Sequence, residues 1–175
     1  MALAVPLSRF TSRVGGGSAF YVRRLHIYEK YTRHSIMILW TKEFETGSAK
    51  LDQQHQMLIE NINLLDEMLH TTNPTVEELS FTINLVDYLE GYANFHFKGE
   101  ESCMISFRCP VHAENQQGHE RFRGFIHDYK RLCEIEGFKV ELLRNLHKVM
   151  STWITEHILK IDTQLKPCIQ KQQAI

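Results

Sequence analysis

Four long stretches of this chain place apolar residues three and four positions apart, and that spacing leaves little freedom in the fold. Residues so spaced line one side of an α-helix, which turns once in about 3.6 residues. The first stretch runs from about Leu51 to His70, with His55, Leu58, Ile62, Leu65 and Leu69 in line. Asn73-Pro74 breaks it, because a proline disfavours helix at the residue before it. The second runs from about Thr75 to Phe107, with Leu79, Ile83, Val86, Leu89, Ala93, His96, Glu100 and Cys103 in line; Cys109-Pro110 ends it. The third spans about Val111 to Glu136 and aligns Asn115, His119, Phe122, Ile126, Tyr129 and Cys133. Gly137 separates it from the fourth, from about Phe138 to beyond His157, which aligns Leu142, Leu146, Met150, Trp153 and His157. Four amphipathic rods with short connections predict an all-α fold, an antiparallel up-down-up-down four-helix bundle.

The 175 residues suit one such core plus an appendage. The appendage is the N-terminal extension, residues 1–36. It holds Arg9, Arg13, Arg23, Arg24 and Arg33, a run of Gly15, Gly16 and Gly17, and a single acid, Glu29. That composition matches an organellar transit peptide. A disordered arm, or an extension created by a wrong start codon ahead of Met37, is the preferred reading. Residues 37–50 read as an extended lead-in, anchored by Trp40 and turned or capped at Gly47-Ser48.

A net charge of −1 gives no footing for nucleic acid or an anionic membrane as the main partner. No apolar run approaches the roughly 20 residues that span a bilayer. Cys103, Cys109, Cys133 and Cys168 form no C-x-x-C pair, so neither a zinc knuckle nor a dithiol motif is indicated. With no secretion signal evident, they read as reduced thiols, and the expected location is cytoplasmic.

The informative places are those where the apolar lines are interrupted. His55, His96, Glu100, Asn115, His119 and His157 stand where Leu or Ile would pack. One buried imidazole is ordinarily a hydrogen-bonded core residue. A carboxylate buried among several imidazoles is costly unless it is paired or holds a metal. His96 and Glu100 lie one turn apart on one face, so both reach one centre. Imidazole with carboxylate suits iron, manganese or zinc. His157 and Asp162 are five residues apart, about 500° of ideal helix, which leaves them roughly 140° out of phase. Both reach one centre only if the helix is widened by a π-bulge or is ending there.

The segments L-D-Q-Q-H (51–55), H-F-K-G-E-E (96–101), H-E-R-F (119–122) and W-I-T-E-H-I-L-K-I-D (153–162) resemble the hemerythrins, closely so the bacterial ones. The resemblance covers about residues 37–168, leaving 169–175 as a tail or the start of a linker. It implies two non-heme irons bridged by one Glu, one Asp and a solvent oxygen, with dioxygen as the partner. Three histidines hold one iron. Two hold the other, which keeps an open position. Carried over, Glu100 and Asp162 bridge; His55 and His96 hold one iron; His119 and His157 hold the other.

The third histidine of that second iron falls on Asn115, the main departure from the pattern. His112 lies about 10 Å along the axis from His119, too far for a shared metal. Glu114 remains a weaker stand-in. Asn115 could ligate through its amide oxygen, a poorer donor to iron than imidazole. The preferred reading is a lost ligand and a solvent-filled position open to small anions. Trp153, Phe97, Phe122, Ile154, Leu58 and Met104 are candidates for the pocket wall, and Asp52 for a helix cap or a hydrogen bond behind the site. His26, His34, His70, His127 and His147 read as surface residues.

A ligand-poor centre points to an oxygen- or redox-sensing domain, readily autoxidised, and not itself an enzyme. Some bacterial hemerythrin domains are joined to signalling outputs such as cyclic-dinucleotide synthases, and a module of this size could serve one. The alternatives are a reversible dioxygen carrier or store and a peroxide-consuming di-iron enzyme.

Overall fold

The computed structural model describes residues 37–70 and 74–173, so expectations for residues 1–36 lie outside the described residues. Four long helices form the body: α1 Ala49–Leu69, α2 Val76–Ser106, α3 His112–Glu136 and α4 Val140–Lys160. A short α5, Leu165–Gln173, follows. Each long helix falls within two or three residues of the boundaries expected from the spacing. α1 packs on α2 and α4, and α3 on α2 and α4, completing the bundle.

The ends obey local chemistry. Thr75 caps α2: its hydroxyl accepts from Glu78 N at 3.2 Å, and its own N–H donates to Glu78 Oε2 at 2.7 Å. Reciprocal pairing of that kind satisfies two donors a helix start would otherwise leave open. α3 stops at Gly137, whose φ of +80° is a conformation side chains resist. Most of the expected lines are buried, although Leu79, Ile83, Cys103 and Trp153 are half-buried and Leu143 takes the enclosed place expected of Leu142. Leu65, Leu89, Leu143 and Leu146 are almost wholly enclosed, each burial contributing roughly 1.5–3 kcal/mol.

The lead-in is tied down by polar contacts. Ile38 exchanges two hydrogen bonds with the Asn63 side chain, at 2.9 and 2.8 Å. Trp40 stacks on Phe44. Asp52 accepts from Thr46 N and Thr46 Oγ1, at 2.8 and 2.7 Å. It therefore pins the lead-in and does not cap α1, whose cap position is Ser48.

Three expectations are corrected. Helix continues through residue 173, and Ile169 is buried with Leu51, Met104 and Leu165, so the stretch from 169 begins as a docked helix and not as a tail. Cys109 and Cys168 are paired in a disulfide across 59 residues, Cα–Cα 5.6 Å, leaving Cys103 and Cys133 as free thiols. Pairing at that distance is a product of the fold, which brings α5 against the α2–α3 turn. It removes the thiol argument for a cytoplasmic location. Finally, His147 is buried, because the inner face of α4 is wide enough to enclose it beside Leu146. Among the described residues no helix is long and apolar enough to cross a membrane.

Candidate metal centre

All six residues expected to ligate come together in the interior. His55 stands on α1, His96 and Glu100 on α2, His119 on α3 and His157 on α4. Asp162 opens a 3-10 turn, Asp162–Gln164, directly after α4. The helix ends at Lys160 with no π-bulge, and the tighter turn swings Asp162 back beside His157. His157 Nε2 lies 3.2 Å from Asp162 Oδ1, and His55 Nε2 lies 3.4 Å from Asp162 Oδ2.

The donor atoms form two nests that share both carboxylates. His55, His96, Glu100 and Asp162 make one; Glu100, His119, His157 and Asp162 make the other. Within each nest the donors lie within 4.8 Å of one another. Glu100 Oε2 stands 3.8 Å from His96 Nε2 and 3.4 Å from His119 Nε2; Oε1 stands 3.9 Å from His55 Nε2.

Proton bookkeeping shows what this arrangement lacks. His96 Nδ1 faces Gln54 Oε1 at 3.0 Å, and His119 Nδ1 faces Glu101 Oε1 at 2.8 Å. Both partners are acceptors, so each Nδ1 carries a hydrogen and Nε2 is the ring atom left facing inward to donate to a metal. His96 Nε2 then meets His55 Nε2 at 2.9 Å, and His119 Nε2 meets a carboxylate oxygen. Buried His119 Nε2, Glu100 Oε1 and both oxygens of Asp162 have no hydrogen-bond partner. Lone pairs converging in a sealed interior call for cations, and imidazole with shared carboxylates suits iron, manganese or zinc.

The titration behaviour reflects the same crowding. Burial, then the charge of Asp162, raise the pKa of Glu100 against the opposing pull of His119 and His55. Burial works against ionised Asp162 too, but the facing imidazoles of His157 and His55 hold its carboxyl far below the usual range. Burial, reinforced by neighbouring His55, pushes His96 well down. For His55 burial also acts downward, and Asp162 outweighs it.

Asn115 is wholly buried in the second nest. Its amide nitrogen donates to Glu100 Oε2 at 3.0 Å and approaches Met104 Sδ at 3.1 Å, while Oδ1 lies 3.4 Å from His157 Nε2. Turning the amide over would set Oδ1 against the carboxylate, so the network fixes it as a donor to Glu100. Glu114 is exposed and contributes nothing here.

Phe97 stacks on His119, ring centroids 3.8 Å apart, and Trp153 on His157 at 4.4 Å. Phe122 packs on both aromatic rings. Two of the expected wall residues, Phe97 and Trp153, thus border the histidines directly, and Phe122 backs them. Sequence reasoning missed Gln54 and Glu101, which orient two imidazoles, and Gly118. A methyl on Gly118 would stand 2.6 Å from His157 Cε1, so only glycine leaves that ring its place.

A family model described as the hemerythrin HHE cation binding domain matches residues 46–169. The chain belongs to the hemerythrin family. Membership implies a non-heme di-iron centre that binds dioxygen, in proteins that are generally oxygen binders and not enzymes. The bacteriohemerythrin of Clostridium acetobutylicum is 28% identical over 128 residues, 73% of this chain and 98% of its own. That of Stenotrophomonas maltophilia is 24% identical over 122 residues, 70% of this chain and 74% of its own. A solved structure of a leucine-to-phenylalanine mutant matches with a TM-score of 0.63 at 24% identity, over 78% of this chain and 98% of that one. At that identity the likeness is one of fold.

Proposed function

We propose that His55, His96, Glu100, His119, His157 and Asp162 hold two iron ions, and that the protein senses dioxygen or redox state through them. The observation that carries this reading is the orientation of Asn115. Its amide nitrogen donates to Glu100 and faces Met104 Sδ, so the second nest offers two imidazoles and two shared carboxylates, the same set as the first. The family's arrangement of three and two histidines becomes two and two. When bound, a di-iron pair supplies the electrons that dioxygen uptake draws on. The chain's residues then decide how long the reduced form survives in air. Phe97, Phe122 and Trp153 keep water from the histidines. Asn115 works in the other direction: it leaves a position open to water or small anions, and its hydrogen bond draws electron density from Glu100.

A dioxygen carrier is the second reading, and the aromatic wall is what favours it. Stopped-flow mixing of the iron(II) protein with air separates the two. Loss of oxygen-binding capacity within seconds supports sensing; capacity kept for many minutes supports carriage. Asn115→His restores a third imidazole and is expected to slow the loss at least tenfold, a change of about 1.4 kcal/mol in barrier. An unchanged rate removes the sensing argument.

A further inference from the structure

The two inward-facing imidazoles with anchored Nδ1 atoms are anchored by different chemistry. His96 leans on Gln54, a neutral amide; His119 leans on Glu101, a carboxylate. Both anchors select the tautomer, but an ionised acceptor makes roughly twice as strong a hydrogen bond as a neutral one. The stronger pull on Nδ1–H moves electron density across the ring and makes Nε2 the better donor.

Glu101 is held for this role. The same Oε1 that accepts from His119 lies 3.5 Å from an Arg123 guanidinium nitrogen. Arg123 donates to Asn94 Oδ1 at 2.9 Å and to Glu120 Oε1 at 2.7 Å. Its guanidinium sits 5.2 Å from the centroid of Phe97, the ring stacked on His119. The Glu101 side chain is 18% exposed, so its charge is poorly screened. A surface ion pair of Glu101 with Arg123 alone would be worth about 0.2–1 kcal/mol and would not need the imidazole.

We infer that Glu101 is a positioning residue that makes His119 the stronger imidazole donor, so that the two metal positions are electronically unequal. The His119/His157 position favours the more oxidised metal. The anionic anchor thereby offsets, at that position, the donor lost where Asn115 stands. This inference rests on the proposed ligand assignment.

Cobalt(II) titration of the metal-free full chain, read by its visible absorption, tests the two separately. Wild-type protein that binds fewer than two cobalt ions overturns the ligand assignment itself. If it binds two, Glu101→Gln keeps the side-chain length and an acceptor oxygen but removes the charge. It should weaken one cobalt site by about 10–100-fold and leave the other unchanged. In the iron-loaded variant the second reduction wave, which belongs to the His119/His157 position, should move to higher potential. Gln54→Glu supplies the converse, tightening the other site and lowering the potential, and it keeps the test open if the first variant folds poorly. Wild-type cobalt affinities and an unmoved potential in Glu101→Gln, or a change confined to thermal stability, would overturn the inference.

Discussion

His119 and His147 are both imidazoles buried in this bundle, each facing a carboxylate from another helix, yet their surroundings differ in one decisive respect. His147 Nδ1 lies 3.4 Å from Asp66 Oδ1, and its Nε2 pairs with Ser151 Oγ at 3.1 Å. Ser151 also donates to the backbone oxygen of His147 at 2.8 Å. No side-chain atom of Asp66, His147 or Ser151 is buried without a partner. Around His119 the partnerless atoms accumulate: four donor oxygens and nitrogens of Glu100, His119 and Asp162. A closed polar cluster holds helices in register, whereas an open one, with lone pairs aimed at a common point, is a ligand site. The comparison also bears on Ser151, His147 and Asp66 as a would-be nucleophilic triad. Ser151 is sealed in the core, so substrate has no approach.

The largest expected effect separates the clusters through metal. Iron(II) or cobalt(II) at a thousandfold above its dissociation constants should stabilise the wild-type protein by about 4 kcal/mol for each of the two sites in calorimetry. Glu100→Ala should abolish this gain, because it removes a donor from both nests. The metal-free variant should unfold no more easily than the metal-free wild type, since a costly buried charge has gone. Retained metal stabilisation in Glu100→Ala would break the distinction.

His147→Ala should behave in the opposite way. It strands Asp66 and Ser151 and opens a cavity, for a loss of about 1–3 kcal/mol with or without metal. Cobalt stoichiometry should stay at two. A loss of metal binding would mean that the closed cluster is coupled to the open one.

Gly118→Ala sharpens the comparison with two effects of opposite sign. Alanine favours a helix interior over glycine by about 1 kcal/mol, so metal-free stability should rise or hold. The new methyl displaces the His157 ring, a side chain that yields more easily than backbone. Metal affinity should therefore fall while the fold tightens, measured by cobalt titration beside thermal unfolding. A fall in both would show that Gly118 serves packing alone.

Much of the fold was legible because a long helix repeats its signal. Seven or eight aligned positions, as in α2, outvote single exceptions, and Pro74, Pro110 and Gly137 punctuate the chain. Five of the six convergent residues were legible because they interrupt those lines, and Asp162 only through the resemblance of residues 153–162 to a known family. Gln54 and Glu101 interrupt nothing. Each lies beside a ligand-line residue, His55 or Glu100, and reaches a neighbouring helix only through its own length. Gly118 matters through an absent atom, which no periodicity reports. The Cys109–Cys168 pair and buried His147 depend on how wide a face each neighbour covers, and that is decided between helices and not within one.

The smallest expected effect concerns acid. Burial lowers the pKa of His147 below its ordinary 6.5, against the pull of Asp66 and with nearby His70 adding to the fall. A base whose folded-state pKa is depressed stays neutral in the fold while the unfolded chain takes up a proton. Its contribution to stability is therefore present above about pH 6.5 and is lost as pH falls below that value toward the folded-state pKa. Site histidines titrate as well, so the comparison must be a difference. Metal-free wild type should lose more stability between neutral and mildly acid pH than metal-free His147→Gln, in urea titrations at matched ionic strength. Parallel losses would mean that protonating His147 costs the fold nothing, and the closed cluster would then be less sealed than its hydrogen bonds indicate.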